Sequence, residues 1–438
     1  MNTSQPTEGL GRQACATDVA FVSADTDPTG APGPWQVIAV SQPEEGQWLS
    51  GETGVLRGEE VSDVVLSYVF SANLATQEVT GDIGAAMSVE AVVYGLQPSP
   101  QGACLMYALI NAEPELADGH DAGAQLGGLD VFEVPVLGDE RNFDYLGFVL
   151  VTVPNVNNPL LAEVAITFDA GIAPLPGQPL DTTARLVMEK LVRLGEEVAR
   201  VHGRTIIQTG LLSVDSERDP KASLLRELGY RLAYRAGVYA VDLDGALDKE
   251  QAYPLPEGCR LRYFTGAMPP ADMVEDLCRL LDIADRDVPH GSLTNDPQPW
   301  TPQRLQAIAA REQRRGSFIM TAVVEGPDDP ASTGSAGNDH AHRRLIAMSS
   351  LSHDPGASRE MVAQDLTVVA PPWRGRGLAT ATKAGLWRRL REIDGGVRRV
   401  GTTLADDNIA IIAVNSHFGA RLLAHETGWE LITPLHEA

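Results

Sequence analysis

The chain has 438 residues, of which 43% are hydrophobic and 21% are charged. This length exceeds what one ordinary core requires and predicts two domains or a large duplicated fold. No apolar run approaches the ~20 residues that span a bilayer, and the polar N-terminus lacks the pattern of a secretory signal. We therefore expect a soluble cytoplasmic protein that has no membrane partner.

The net charge of −25 is unevenly distributed along the chain. Residues 1–250 contain 14 Lys and Arg against 36 Asp and Glu, a balance of −22 that would repel nucleic acid. Residues 371–400 reverse the trend, with eight Arg and Lys against two acidic residues. This basic segment predicts a local anionic ligand, although a solvated helix face rich in arginine would have the same composition.

Four cysteines are scattered through the sequence as Cys15, Cys104, Cys259 and Cys278. They show neither CxxC nor Cys/His spacing, so they predict neither a disulfide framework nor a zinc site. Buried free thiols are the simplest interpretation, and we expect no metal.

The N-terminal part has an irregular pattern of predicted elements. Residues 1–35 are polar and rich in Gly, Pro, Thr and Asp. Short β-like runs follow at 35–40, 89–94, 104–111 and 146–153, and a helix is predicted around residues 61–76. Residues 113–144 are acidic and Gly-rich, which is typical of an elaborated loop.

A regular order of strand, loop, helix, strand, helix and strand occurs twice, about 200 residues apart. The first copy runs from a strand at 162–168 to a strand at 232–243, and Asp181 is a predicted N-cap of its long helix. The second copy runs from a strand at 361–369 to a strand at 429–432. The order predicts two copies of one α/β unit, joined near residues 248–258, where Pro254 and Pro256 mark a linker.

The second unit also has a front end of its own. Helices are predicted at 269–285 and 302–315, the latter with Thr301 as N-cap and Pro302 at its first position. A strand pair at 318–324 and 345–351 is separated by a polar loop at 326–342.

In the second copy, Arg374-Gly375-Arg376-Gly377-Leu378-Ala379 connects the strand to the long helix. A helix start leaves backbone N–H groups unpaired and favours an anion, and glycines let a phosphate approach the backbone. The segment is neither a Rossmann fingerprint nor a P-loop, because it lacks the third glycine and the GxxxxGK[ST] pattern. A turn that simply needs two glycines is the alternative.

The wider run from Gln364 to Ala379, QDLTVVAPPWRGRGLA, resembles the acetyl-CoA motif of GNAT-family N-acetyltransferases. A second GNAT signature is matched by Asn408, which opens a helix with Ile411 and Val414 on its inner face. The resemblance is strongest to actinobacterial tandem GNAT proteins, the broad group that includes mycothiol synthase, and covers 255–438 well and 145–245 weakly. It implies an α/β (α+β) fold of two GNAT-like units in tandem, each with a mixed, mostly antiparallel central sheet flanked by helices.

The resemblance implies that residues 1–250 form a degenerate GNAT-like domain with an acidic N-terminal elaboration, and that residues 251–438 form the acetyl-CoA-binding domain. In the first unit, the corresponding loop at 173–180 has no arginine, and its prolines remove N–H donors that a phosphate needs. For Lys383, a solvated lysine is the alternative to a phosphate contact. The predicted acetyl-CoA contacts are Val368, Val369, Arg374, Gly375, Arg376, Gly377, Leu378, Ala379, Thr380, Lys383 and Asn408.

Direct acyl transfer needs a base for the amine and an acid for the leaving thiolate. The position of the family's usual glutamate holds Gln364, so Asp365 and Glu360 are the candidate bases, with surface carboxylates and a water chain as alternatives. The position of the usual tyrosine acid holds Asn415, which could hydrogen-bond the CoA sulfur but cannot protonate it. His290 is a candidate substrate-binding residue or, alternatively, a structural loop residue.

These features predict an N-acetyltransferase of the GNAT type that moves the acetyl group of acetyl-CoA to an amine of a small molecule. A non-catalytic acyl-CoA sensor or scaffold, and a transferase that uses a longer acyl-CoA, remain alternatives. We expect a monomer or a homodimer, and the acceptor is not identified by the sequence.

Overall fold

The computed structural model describes residues 35–41, 61–97, 99–112, 125–247, 253–327 and 343–433. Most of the predicted polar N-terminus, part of the predicted linker and most of the predicted loop at 326–342 lie outside these ranges. The described residues form nine α-helices: α1 Asp63–Thr80, α2 Val89–Gly95, α3 Thr182–Val201, α4 Pro220–Glu227, α5 Leu243–Leu247, α6 Val274–Asp287, α7 Pro302–Arg315, α8 Leu378–Ile393 and α9 Ile409–His417.

The same ranges contain 14 strands, which belong to one sheet in the order β3-β4-β1-β2-β5-β6-β7-β14-β8-β13-β12-β11-β10-β9. Neighbouring strands are antiparallel except for the parallel pairs β1–β4, β6–β7 and β12–β13. The strands are β1 Trp35–Ser41, β2 Gly102–Asn111, β3 Gln125–Leu126, β4 Leu129–Pro135, β5 Tyr145–Pro154, β6 Leu161–Phe168, β7 Ile206–Ser213, β8 Arg231–Asp242, β9 Arg260–Thr265, β10 Phe318–Glu325, β11 Leu345–His353, β12 Met361–Val369, β13 Arg399–Ala405 and β14 Arg421–Ile432.

The predicted fold class, a mostly antiparallel sheet flanked by helices, is confirmed. The predicted repeat is also present as β6-α3-β7-α4-β8 and β12-α8-β13-α9-β14. In each copy a long helix connects two parallel strands, as a parallel connection requires.

The last strand of each copy lies in a place that the sequence did not predict. β14 lies between β7 and β8, where Trp429 is opposite Thr209 of β7 and Glu430 is opposite Arg231 of β8. β8 in turn pairs with β13, from Arg399 opposite Asp242 to Ala405 opposite Ala236. Each half of the chain therefore supplies a strand that completes the sheet of the other half, and β14 is much longer than the predicted strand at 429–432.

Helices cover both faces of the sheet in the C-terminal half. Leu386 and Trp387 of α8 pack on one face against Met320 of β10, and Leu280 of α6 packs on the other face with Val323. β10 and β11 are buried almost throughout, because helices lie on both sides of them. The predicted start of α7 is confirmed by a hydrogen bond from the Arg304 amide to the Thr301 hydroxyl (3.2 Å).

Two predictions in the N-terminal part were wrong. Residues 89–94 form helix α2 rather than a strand, because the Ser88 hydroxyl caps the helix by accepting from the Ala91 amide (3.0 Å). Within the predicted loop at 113–144, β4 pairs in parallel with β1 and buries Leu129, Phe132 and Val134.

The exchange of β8 and β14 makes a testable prediction about the two halves of the chain. Residues 1–250 expressed alone would lack β14, which leaves β7 and β8 without a common neighbour, and residues 251–438 alone would lack β8. We expect each half to give no cooperative thermal transition by circular dichroism, whereas the two halves expressed together form a stable complex. A cooperative transition for either half alone would contradict this dependence.

Candidate functional site

A cavity of about 420 Å³ lies at the end of β12, between the loop to α8, the start of α9 and the end of α6. Nine of the predicted acetyl-CoA contacts line it: Val368, Val369, Arg374, Gly375, Gly377, Leu378, Ala379, Thr380 and Asn408. The tertiary structure adds further lining residues, among them Asp287, Val288, Thr367, Ile411 and Val414. Arg376 and Lys383 are not among its lining residues.

The N-terminus of α8 opens into this cavity without a cap. Its N-cap is Gly377, with a left-handed φ of 75° that favours glycine, and within the described residues no side chain caps this helix. The first turn closes with a hydrogen bond from the Ala381 amide to the Gly377 carbonyl (2.9 Å). The N–H groups of Leu378, Ala379 and Thr380 are therefore not used by the helix and can bind an anion.

The corresponding helix of the N-terminal half, α3, has its N-terminus closed. The Asp181 carboxylate accepts a hydrogen bond from the Ala184 amide (2.7 Å), so a carboxylate of the chain already occupies the anion position. The loop before it contains Pro174, Pro176 and Pro179, which have no N–H to donate. A cavity of about 320 Å³ lies beside this loop, but it does not face an open helix end.

The edge of β12 becomes free where it borders the cavity. β12 and β13 pair only over Met361–Ala363 and Arg399–Gly401, and the two parallel strands then diverge. Thr367, Val368 and Val369, further along β12, line the cavity in the gap. A diverging edge of this kind can accept main-chain hydrogen bonds from an extended ligand.

The two arginines of the loop have different partners. The Arg374 side chain donates to the Val369 carbonyl (3.0 Å) and pairs with Asp287 of α6, and its amide donates to the Pro371 carbonyl (3.3 Å). The Arg374 amide is therefore already used, and the open amides begin after it. The Arg376 guanidinium is exposed and lies 4.8 Å from the centre of the Trp373 ring.

Further basic residues of the segment 371–400 are held in ion pairs away from the cavity. Arg391 and Arg398 pair with Asp244 of α5, at 2.6 and 3.5 Å, and Arg399 pairs with Asp82. Three of the eight basic residues of this segment are therefore paired with acidic residues elsewhere in the fold, and of the eight only Arg374 lines the cavity.

Lys383 is buried in the protein, so the alternative of a solvated lysine is wrong. It is 1% exposed, its ammonium donates to the Asn415 side-chain oxygen (2.9 Å), and it lies 5.6 Å from the centre of the Trp387 ring. Burial alone lowers the pKa of Lys383 to about 7. Asn415 is equally buried, and its amide group donates to the Ile411 carbonyl (3.0 Å).

Gln364 belongs to a chain of buried polar groups that ends at the cavity. Its side-chain oxygen accepts from the Trp387 indole (3.0 Å), and its amide group donates to the Ser349 hydroxyl (3.1 Å). The hydroxyls of Ser349 and Thr367 are hydrogen-bonded at 2.9 Å, and Thr367 lines the cavity. Gln364 is thus a structural residue that fixes α8 on the sheet.

Asp365 occupies a β-bulge in the middle of β12. Ser350 is opposite Leu366 and Leu351 is opposite Gln364, so Asp365 is the extra residue. The Ser352 hydroxyl donates to its carboxylate (2.7 Å). Although the side chain is exposed, the surrounding protein desolvates its carboxyl and raises the pKa of Asp365 to about 6; the Ser352 hydrogen bond opposes this rise, and neighbouring carboxylates add to it.

Glu360 lies farther from the cavity than Asp365 does. It is exposed just before the first residue of β12, and its carbonyl accepts from the Arg398 and Arg399 amides (2.8 and 2.9 Å). Nine residues separate it from Val369, which corresponds to ~30 Å along an extended strand, whereas Asp365 is two residues from Thr367. None of Asp365, Glu360 and Asn415 lines the cavity.

Comparisons of the sequence found no protein-family model and no curated protein that matches. Comparison of the fold found a tandem GNAT protein from the clavulanic acid biosynthesis pathway, with a TM-score of 0.58 and 16% identity over 92% of this chain and 100% of that one. A GCN5-related N-acetyltransferase from Sphaerobacter thermophilus is also similar, with a TM-score of 0.51 and 16% identity over 84% of this chain and 92% of that one.

The chain has the tandem GNAT fold. The similarity of fold extends over both halves, which confirms the tandem arrangement implied by the sequence motif. The boundary near residue 250 and the roles of individual residues stay predictions.

The loop between α6 and α7 is hydrogen-bonded to the N-terminal half. Gly291 has a φ of 61°, and any side chain there would collide with the Ala233 carbonyl of β8. The next amide, of Ser292, donates to the same carbonyl (2.7 Å). His290 is exposed in this loop, with its ring Nδ1 3.2 Å from the Val288 carbonyl, and it does not line the cavity, whereas Val288 does.

Glu430 of β14 also binds the α6–α7 loop. Its carboxylate accepts from the Thr294 amide (2.6 Å), the Thr294 hydroxyl (3.1 Å) and the Gln208 amide group of β7 (2.8 Å), and it pairs with Arg231 of β8. Burial favours the neutral carboxyl, but these hydrogen bonds outweigh burial and hold the pKa of Glu430 below its usual value. One buried carboxylate therefore joins β7, β8, β14 and the α6–α7 loop.

Sequence reasoning missed both Glu430 and Asp287. Glu430 left a signal, since it is a lone carboxylate within the apolar run Trp429–Ile432 of the predicted last strand. Asp287 left none, because its pairing with Arg374 joins residues 87 positions apart.

No group of three or more His, Cys, Asp and Glu side chains that could hold a metal occurs within the described ranges. The helices in those ranges are all too short or too polar to cross a membrane.

Replacing Glu430 tests whether it fastens the loop. We expect Glu430→Gln to lower the free energy of unfolding by about 1–3 kcal/mol, because one of the two acceptor oxygens becomes an NH2 group that faces buried donors, and to speed amide exchange in residues 290–296. The stability that Glu430 contributes is present at neutral pH and is lost as the pH falls below ~4, so the variant should lack this part of the acid dependence.

The matched control is Glu227→Gln, which removes an exposed carboxylate paired with Arg185. This control should change the free energy of unfolding by less than about 0.5 kcal/mol. Equal effects of the two substitutions on urea unfolding and amide exchange would contradict the role of Glu430.

Proposed function

We propose that this protein is an N-acyltransferase that moves an acyl group, most simply acetyl, from acyl-CoA to the amine of a small molecule. The observation that carries the proposal is the uncapped N-terminus of α8, which opens into a cavity bordered by the free edge of β12. The amides of Leu378, Ala379 and Thr380 would bind the pyrophosphate, and Gly375 and Gly377 leave open space around the backbone. No metal is required for this chemistry.

The pantetheine arm would follow the gap between β12 and β13 beside Val368 and Val369. Asn408 lines the same cavity, and its side chain caps α9 by accepting from the Ile411 amide (3.4 Å), so it borders the far end of the arm. Residues 1–250 would not bind CoA, because Asp181 closes α3. Their contribution would be β8, the anchor of the α6–α7 loop and a wall of the acceptor cleft.

In the transfer itself, the amine nitrogen attacks the thioester carbon, the carbon–sulfur bond breaks and CoA leaves as its thiolate. A base removes a proton from the amine, and the thiolate then takes a proton. We propose Asp365 as the base, since a carboxyl with a pKa of about 6 is ionised at neutral pH and still accepts a proton well. Glu360 is the less favourable candidate because it lies at the far end of the strand.

A non-catalytic acyl-CoA sensor is the second candidate function. It is favoured by one observation, that none of Asp365, Glu360, Asn415 and His290 lines the cavity. The two functions differ in turnover, since a sensor binds CoA but releases no free thiol from acetyl-CoA with any amine. Comparing acetyl-CoA with longer acyl-CoA donors in the same thiol-release assay would identify the acyl group.

Closing the N-terminus of α8 tests CoA binding. Gly377→Asp would place a carboxylate where Asp181 stands in α3, and aspartate tolerates the left-handed φ of this position. We expect calorimetry to show a loss of CoA affinity of at least about 100-fold, because the carboxylate occupies the anion position and repels phosphate.

The control for this experiment is Gly177→Asp in the corresponding loop of the N-terminal half. Gly177 also has a left-handed φ, of 78°, and open space around its backbone. This variant should bind CoA like the wild type. Unchanged binding by Gly377→Asp would remove the main support for the proposal.

Replacing the proposed base tests catalysis separately from binding. We expect Asp365→Asn to reduce kcat at least ~100-fold with the best amine of a panel, while the affinity for CoA stays the same. The kcat/KM of the wild type should fall as the pH drops below about 6, when Asp365 becomes protonated, and the variant should lose this inflection. If Glu360→Gln has the larger effect instead, Asp365 is not the base.

A further inference from the structure

Lys383 is a buried amine that the proposed transfer step does not use. Its Asn415 partner is neutral, and within the described residues its ammonium also lies 5.6 Å from the centre of the Trp387 ring. Methionine is an unbranched side chain without a charge, which makes it a suitable replacement for Lys383. A buried lysine without a carboxylate partner is costly to keep charged, so a stabilising role in the core does not explain it.

The Lys383–Asn415 pair lies on the two helices whose first turns line the cavity. Ala379 and Thr380 of α8 line the cavity, and Lys383 follows them by one helical turn. Ile411 of α9 also lines the cavity, and Asn415 follows it by one turn, with its side chain bonded to the Ile411 carbonyl. Residues one turn apart are ~5–6 Å apart, so the pair lies one helical turn farther along α8 and α9 than residues that line the cavity.

The titratable side chains on elements packed around α8 have other partners. Asp244 of α5 pairs with Arg391 and Arg398, and the ring nitrogen of His417 of α9 is 3.2 Å from the Tyr253 hydroxyl.

Tyr263 of β9 lies farther along α8, beside Gly385. The groups of β11, β12 and β13 that face this interior are the hydroxyls and the amide of Ser349, Thr367, Thr402 and Gln364, which do not titrate. Burial is therefore the cause that lowers the pKa of Lys383, and an anion in the cavity would act against it.

We propose that Lys383 takes up a proton when a polyanionic CoA ligand binds in the cavity, and that the resulting ammonium group, held by Asn415, contributes to the affinity for the ligand. The inference rests on the proposed acyl-CoA site. A unit negative charge about 10 Å away in a protein environment favours the charged form of an amine by about tenfold. In the protein without a ligand, the pKa of Lys383 is about 7, so its amine is partly neutral at neutral pH. A negative charge in the cavity would convert this amine into an ammonium group.

The proposal predicts proton uptake that calorimetry can count. CoA is titrated into the full chain at pH 7.5 in phosphate and in Tris, whose ionisation enthalpies differ, and the slope of the observed enthalpy gives the protons bound per CoA. We expect the wild type to take up about half a proton more than Lys383→Met does. Protons that CoA and other groups exchange are the same in both proteins and cancel in this difference.

Affinity should change with pH in a matching way. Lys383→Met is expected to bind CoA about tenfold more weakly than the wild type at pH 6.5, and the two affinities should converge near pH 9, where Lys383 is neutral. Lys190→Met on α3, whose ammonium donates to the Gly127 carbonyl (3.1 Å) far from the cavity, is the matched control and should behave like the wild type.

A second variant gives an independent test. Asn415→Asp places a carboxylate beside Lys383, which would keep the amine protonated before the ligand arrives. This variant should bind CoA without the extra proton uptake, although the lysine is present.

Folding of Lys383→Met is checked by urea unfolding. Since the unfolded chain binds the lysine proton up to its ordinary pKa near 10.4, the stability of the wild type should rise with pH from about 7 to 10, and Lys383→Met should lack this rise.

The outcomes distinguish a failure of the role of Lys383 from a failure of the proposed acyl-CoA site. Equal proton uptake by the wild type and Lys383→Met, with CoA bound to both, would overturn the role of Lys383 and leave the acyl-CoA site intact. Absence of CoA binding by the wild type would overturn the proposed function and this inference with it.

Discussion

The placement of β14 between β7 and β8 is the constraint on which most of the structure depends. β7 and β8 are consecutive in the N-terminal half, yet the last strand of the chain separates them, and β8 extends the sheet to β13. Neither half can close its own sheet, so the two repeats form one continuous sheet. The buried Glu430 carboxylate stabilises this junction of β7, β14 and β8. It accepts hydrogen bonds from β7 and from the α6–α7 loop, and it pairs with Arg231 of β8.

The same junction of β7, β14 and β8 determines what surrounds the candidate site. The α6–α7 loop reaches across to the N-terminal half, where Ser292 bonds to β8 and Thr294 bonds to Glu430. The end of α6 that precedes this loop lines the cavity through Asp287 and Val288. The N-terminal half, whose corresponding helix is capped by Asp181, thus still shapes the surroundings of the cavity in the other half, through β8 and through the contacts that hold the α6–α7 loop.

Two helix starts in corresponding positions of the two repeats differ in a single capping group. α3 begins at Asp181, which uses its own carboxylate to satisfy the first turn, and α8 begins at Gly377, which leaves the first turn unsatisfied. The physical requirement is the same at both helices, because the first amides need an acceptor. One helix meets it within the chain, and the other leaves it unmet within the described residues.

The sequence by itself determined the repeat, the fold class, the start of α3 at Asp181 and the loop that lines the cavity. The fold class was implied by the resemblance of the motif at 364–379 to GNAT proteins. The repeat, the helix start and the loop follow from local physics, because hydrophobic periodicity, capping residues and glycines at a strand-to-helix turn act over a few residues. Short apolar runs were less reliable, since residues 89–94 are as compatible with a strand as with the capped helix that forms.

Only the tertiary structure decided which strands are neighbours and which charges are used. The exchange of β8 and β14, the pairing of Arg374 with Asp287 and the burial of Lys383 against Asn415 all join residues far apart in the chain. The local sequence pattern carries no information on such partners. The residues of a strand or a basic side chain are the same in the sequence whether solvent or another segment of the chain lies against them. The packing of the whole chain determines which segments become neighbours.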